Sequence, residues 1–166
     1  MVLQIGDWKF DIDLTQTMQY SSAEALEHCD CAYCRNFYTV VDEYYPNLRS
    51  FFAEFGLNIE APDELMPYDY EGKMYYDGMY MVCGRIMEVG KRPIICEGLC
   101  IQPSDTVSIP HDCPQPCFAL EVSTIILPWV LNEPMEDTIS PANLPSFIQK
   151  MWDRLLGKSK KSNIQS

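Results

Sequence analysis

Basic residues are scarce in this chain. Twelve lysines and arginines stand against 24 aspartates and glutamates, a formal charge of -12. Three of those bases, Lys158, Lys160 and Lys161, lie in an acid-free tail, so the remainder is more acidic still. Such a surface repels nucleic-acid phosphate and anionic lipid. It argues against nucleic acid or membrane as partners and favours a basic protein, although acidity is also an ordinary route to solubility.

Long apolar runs are missing as well. The longest, Ile125–Leu131, falls far short of the roughly 20 residues that span a bilayer. The opening Met1–Asp7 has neither the basic nor the apolar region of a signal peptide, so the expectation is a cytoplasmic protein. In that reducing setting the eight cysteines are expected to be thiols or metal ligands rather than disulfides.

Catalytic signatures are equally absent. There is no G-x-S-x-G elbow, no phosphate-binding G-x-x-x-x-G-K-[ST] loop, no G-x-G-x-x-G and no H-E-x-x-H. With two histidines, a Ser-His-Asp or Cys-His site would have to recruit His28 or His111, each beside a cysteine. Among 24 acids no carboxylate pair stands out for acid–base work. No catalytic residue is assigned, and a non-enzymatic interaction module is the expected class.

What is present supports one α+β domain over residues 1–157, followed by a basic tail, 158–166, expected to be disordered. Twelve prolines and eight glycines favour many short elements. Lys9–Leu14 alternates apolar and acidic residues, a strand with Phe10, Ile12 and Leu14 inward and Asp11 and Asp13 in water. Ser21-Ser22-Ala23-Glu24 reads as a capping box opening a short helix. From Ala32, residues Tyr33, Phe37, Val40, Val41, Tyr44 and Tyr45 form a helical stripe. Pro46 interrupts or restarts the helix, Leu48, Phe51, Phe52 and Phe55 make a second stripe, and Gly56 closes it, so helices are expected within 22–56.

An antiparallel sheet is expected within 70–131. Glu71-Gly72-Lys73 and Asp77-Gly78 are turn signals, Met79–Val89 reads as a strand, and Gly90–Pro93 turns the chain. Ile94–Ile101 is the returning strand, in which Gly98 suggests a bulge or break. Cys117–Leu127 is the clearest strand, with Phe118, Leu120, Val122 and Ile126 on one face and Ala119, Glu121 and Ser123 on the other. Phe147, Ile148, Met151, Trp152 and Leu155 give an amphipathic helix over 145–156.

The chemistry concentrates in the cysteines. His28-Cys29-Asp30-Cys31-Ala32-Tyr33-Cys34 joins a C-x-x-C pair to two further soft donors, and zinc is commonly held by four such groups. His111, Cys113 and Cys117 repeat the theme at wider spacing, and Cys96 and Cys100 add a third pair. If 94–101 is one regular strand, Cys96 and Cys100 share a face. Structural zinc is therefore the cofactor to test, with Cys29, Cys31, Cys34, Cys113, Cys117, His28 and His111 as candidate ligands. Two other roles stay open: ordinary thiols packed as small hydrophobes, and a redox pair Cys31/Cys34 at a helix N-terminus with Arg35 nearby. Glu27 and Asp30 oppose the thiolate that this last role needs.

Around Cys31-Ala32-Tyr33-Cys34-Arg35-Asn36-Phe37 the chain resembles a group of uncharacterised bacterial proteins carrying C-x-C-x-x-C-R-N-F. The likeness extends over about residues 28–90. It implies a bacterial origin and carries no activity, cofactor or partner with it.

Overall fold

A computed structural model describes residues 1–22, 29–70, 73–110 and 112–135. The architecture is α+β: three helices and seven strands, every strand pairing antiparallel. The strands are β1 (Val2–Ile5), β2 (Trp8–Ile12), β3 (Glu64–Tyr70), β4 (Lys73–Glu88), β5 (Ile94–Cys96), β6 (Leu99–Ser104) and β7 (Cys117–Leu127). The helices are α1 (Leu14–Tyr20), α2 (Ala32–Tyr44) and α3 (Pro46–Ala53). The sheet runs β1-β2-β4-β7-β6-β5, and β3 pairs with the first half of β4.

The main core lies between the sheet and α2 and α3. Phe37, Val41, Leu48, Phe52 and Phe55 meet Phe10, Tyr76, Tyr80, Val82, Phe118 and Leu120, all essentially removed from water. Burying such side chains contributes about 1.5–3 kcal/mol each before chain entropy is set against it. Rings lock this layer: Phe10 stacks on Phe118 at 5.3 Å, and Phe52 lies 4.5 Å from Tyr80. Pro46 occupies the first position of α3, where its missing N–H costs nothing. Gly56, at φ +79°, ends that helical region as its spacing suggests.

Several expectations are corrected. The first alternating segment ends at Ile12, because Asp13 caps α1 instead of continuing the strand: its Oδ1 accepts the Gln16 N–H at 3.0 Å. Ser21 then terminates α1, its N–H reaching the Thr17 carbonyl, rather than opening a capping box. Residues 23–28, including the rest of that box, lie outside the described residues. Asp77-Gly78 is not a turn but the middle of β4. The true break is Glu97-Gly98, both at positive φ, which joins β5 to β6 as a tight hairpin and places Cys96 opposite Leu99.

β7 has the expected bounds but not the expected phase. Thr124, at φ +66°, is an extra residue opposite Asp77, and it shifts the alternation. Ile125 and Leu127 therefore enter the core while Ile126 turns outward. Asp77 supplies the ladder partner that the bulge removes. Its Oδ1 accepts the Thr124 N–H at 2.7 Å and the Tyr68 hydroxyl at 3.4 Å. The expected helix over 145–156 and the tail 158–166 lie outside the described residues. No helix among the described residues is long and apolar enough to cross a membrane.

The opposite face of the sheet carries a smaller core of Tyr20, Met81, Cys83, Cys113, Cys117 and Ala119. Asp63 fastens α1 there, accepting from the Tyr20 hydroxyl at 2.5 Å and the Met81 N–H at 2.7 Å. Loss of water raises the carboxyls of Asp63, Asp77 and Glu121 above the usual range, more than their hydrogen bonds lower them. A raised native value means the folded state binds the proton more tightly than the unfolded chain. The stability this gives is complete below the ordinary carboxyl range, near 4, and is lost as pH rises through the raised native values. Net negative charge acts in the same sense. Thermal midpoints are therefore expected to climb as pH is lowered from 8 towards 5; a midpoint that falls over that interval would contradict this account.

Candidate metal centre

Cys31 is the N-cap of α2 and Cys34 lies in the helix's first turn. Side chains three residues apart at a helix start converge, as they do in a capping box, so the C-x-x-C spacing brings these two sulfurs together. Cys29 reaches the same point from the extended chain before the cap. The three Sγ atoms all lie within 4.8 Å of one another. Tetrahedral zinc with Zn–S near 2.3 Å requires sulfurs about 3.8 Å apart, which this separation accommodates.

The three thiols differ in setting. Cys34 is buried, Cys31 half-buried and Cys29 exposed. Burial pushes the Cys34 thiol up, with the thiols of Cys31 and Cys29 adding to the effect. Cys29 moves the other way, drawn down first by the Cys31 backbone N–H and then by the Cys31 and Cys34 thiols. The positive end of α2 also favours negative charge at this point. Metal binding must therefore strip a proton from a thiol that burial protects, while the exposed member ionises more readily.

The surroundings explain the residues that follow the cluster. Arg35 clasps the Asp30 carbonyl and carboxylate and the Glu133 carboxylate, so its charge serves the loop and not the sulfurs. Tyr38, one turn beyond Cys34, has its hydroxyl beside that thiol, and burial raises its pKa. Asn36 is wholly buried and grips the chain after β7: its amide donates to the Pro128 carbonyl at 3.0 Å, and its Oδ1 accepts from the Val130 N–H at 2.9 Å. Trp129, carried on that same stretch, packs 5.5 Å from Tyr33.

No family model, curated protein or solved structure matches this chain. Its site is defined by its own geometry.

The other sequence candidates separate from this centre. Cys113 and Cys117 belong to the small core on the far face, where Gln115 Nε2 donates to Cys117 Sγ at 2.9 Å. Cys83 joins them there as the register partner of Cys117, a neighbour that no short-range spacing reveals. Cys96 and Cys100 do not share a face, because the hairpin turn between them pairs Cys96 with Leu99 and Cys100 with Ile95. Among the described residues, the trio Cys29, Cys31 and Cys34 is the one group of three or more metal-ligating side chains assembled this closely. His28 and His111 lie outside the described residues. Tyr38 was not singled out by sequence, although its i+4 spacing from Cys34 is the signal that finds it.

Proposed function

We propose that this protein is a non-catalytic binding module whose Cys29, Cys31 and Cys34 hold a zinc ion. The observation that carries the reading is the mutual approach of three sulfurs within 4.8 Å at the head of a helix. Soft thiolates suit zinc, and the helix N-terminus favours the negative charge of a metal–thiolate group. Arg35 and Asn36, fixed to Glu133 and to Pro128–Val130, hold the surrounding chain in place. Zinc would order the entry to α2, and the acidic surface would meet a basic partner.

Metal analysis of the protein purified without chelators tests this. The expected content is about one equivalent of zinc, with cobalt substitution giving the intense near-ultraviolet charge-transfer absorption of thiolate ligands. Cys34→Ser should abolish both signals, whereas Cys96→Ser, remote from the site, should leave them intact. Less than roughly a tenth of an equivalent, together with no thiolate–cobalt band on titration, would remove the proposal.

A further inference from the structure

The far face of the sheet carries a groove of about 400 Å³, roofed by the loop after β6. Its walls are apolar: Met79 from β4, Met66 from β3 and Val107 from the loop. Three carboxylates line it, those of Glu64, Asp77 and Glu121. Asp77 is engaged by Thr124 and Tyr68, as described above. Glu64 and Glu121 flank Met79 in one row across the sheet, since Glu64 pairs with Met79 and Met79 with Glu121. They stand two strand spacings apart, about 10 Å.

A carboxylate on a central strand beside methionine and valine carries a desolvation cost. Glu121 is half-buried, and the loss of water raises its pKa, with the Ser104 hydroxyl opposing that shift. None of the ion pairs among the described residues involves Glu64, Asp77 or Glu121. The groove thus combines negative charge with an apolar floor. That is the complement of a lysine or arginine side chain, whose methylene stem packs on apolar surface while its head keeps its charge paired.

We infer that this groove is the docking site of a basic protein segment, which seats a lysine or arginine side chain over Met79 with its cationic head between Glu64 and Glu121. The net charge of -12 draws such a segment in. The groove lies on the face opposite α2 and shares no residue with the thiol trio. Loss of zinc binding and loss of peptide binding are therefore separate outcomes.

The test is calorimetric titration of the full chain with a dodecapeptide of alternating lysine and alanine at about 0.15 M salt, where remote charges are largely screened. Saturable 1:1 binding is expected. Glu121→Gln should weaken it about tenfold or more, the loss of one partly desolvated charge pair. Glu43→Gln, which removes the same charge from the exposed surface of α2, should change it less than about twofold. Met66→Lys places the protein's own ammonium at the groove and should abolish binding, with the near-ultraviolet circular dichroism unchanged. Equal effects of Glu121→Gln and Glu43→Gln would reduce the interaction to diffuse attraction and overturn the assignment. Absence of saturable binding by the parent protein would overturn it too.

Discussion

Replacing Asn36 with alanine is expected to cost about 3 kcal/mol of folding stability, a large share of what a domain of this size possesses. The side chain is fully buried and spends every polar atom. Its amide donates to the Tyr76 hydroxyl at 3.1 Å and to the Pro128 carbonyl at 3.0 Å, while its Oδ1 accepts from the Val130 N–H. Alanine leaves two backbone groups without partners, each worth about 1–3 kcal/mol, and opens a polar void beside Tyr76. Tyr76 keeps its own bond to the Tyr33 carbonyl, so the main core stays in register. The stretch carrying Trp129 is the part that lets go. Urea denaturation should show the midpoint falling with the slope preserved, and Trp129 emission should move to the red. A loss below about 1 kcal/mol would mean that water replaces the amide at no net cost.

Gly84→Ala should be the most damaging single-methyl change in the sheet. Gly84 lies where β2 meets β4, at φ +150°, and a Cβ there would stand 2.2 Å from the Asp11 carbonyl oxygen and 3.0 Å from the Ile12 Cα. Both obstacles are backbone, so no rotamer relieves them. The methyl must either force β2 away from β4 or twist the strand, and β2 carries Trp8, Phe10 and Ile12 into the core. A loss of about 3 kcal/mol or more is expected, from strain together with partial exposure of those three side chains. Hydrogen exchange should locate the damage: amides of residues 8–12 lose protection first, while those of β6 and β7 hold. Uniform loss across all strands would mean that β2 does not separate from the rest. Alanine at Gly98, whose surroundings are open, should cost far less, because only its φ of +80° is strained.

The sequence showed the elements whose signals are local. The bounds of β7, the α2 stripe as far as Val41, the α3 stripe, Pro46 at a helix start and the C-x-C-x-x-C approach all rest on spacings within a few residues, whereas Tyr44 is exposed and Tyr45 caps α2 from outside it. What escaped depends on distant partners. α1 buries only Thr17 and Tyr20, too few to print a helical period on seven residues. The reversal at Thr124 arises because Asp77, on another strand, satisfies the displaced N–H. Cys83 meets Cys117 through a register between β4 and β7 that the thiol spacing does not encode. The thiol trio was legible for the opposite reason: its three sulfurs arrive on one short stretch of chain.

That locality has a kinetic consequence. Residues 29–34 can meet as soon as the first turn of α2 forms, on the sub-microsecond scale of helix growth. β2 must instead wait for residues 84–88, and pairings of such long sequence separation place the sheet among slow-forming topologies. On the proposed metal reading, a chain in which only this turn has formed would already present the three thiols together. Any affinity of such non-native chains for the ion would reduce the stabilisation that it gives the native state. If zinc occupies the trio, a chelator should loosen the corner at the head of α2 and lower the thermal midpoint less than it would for a site assembled only by distant strands.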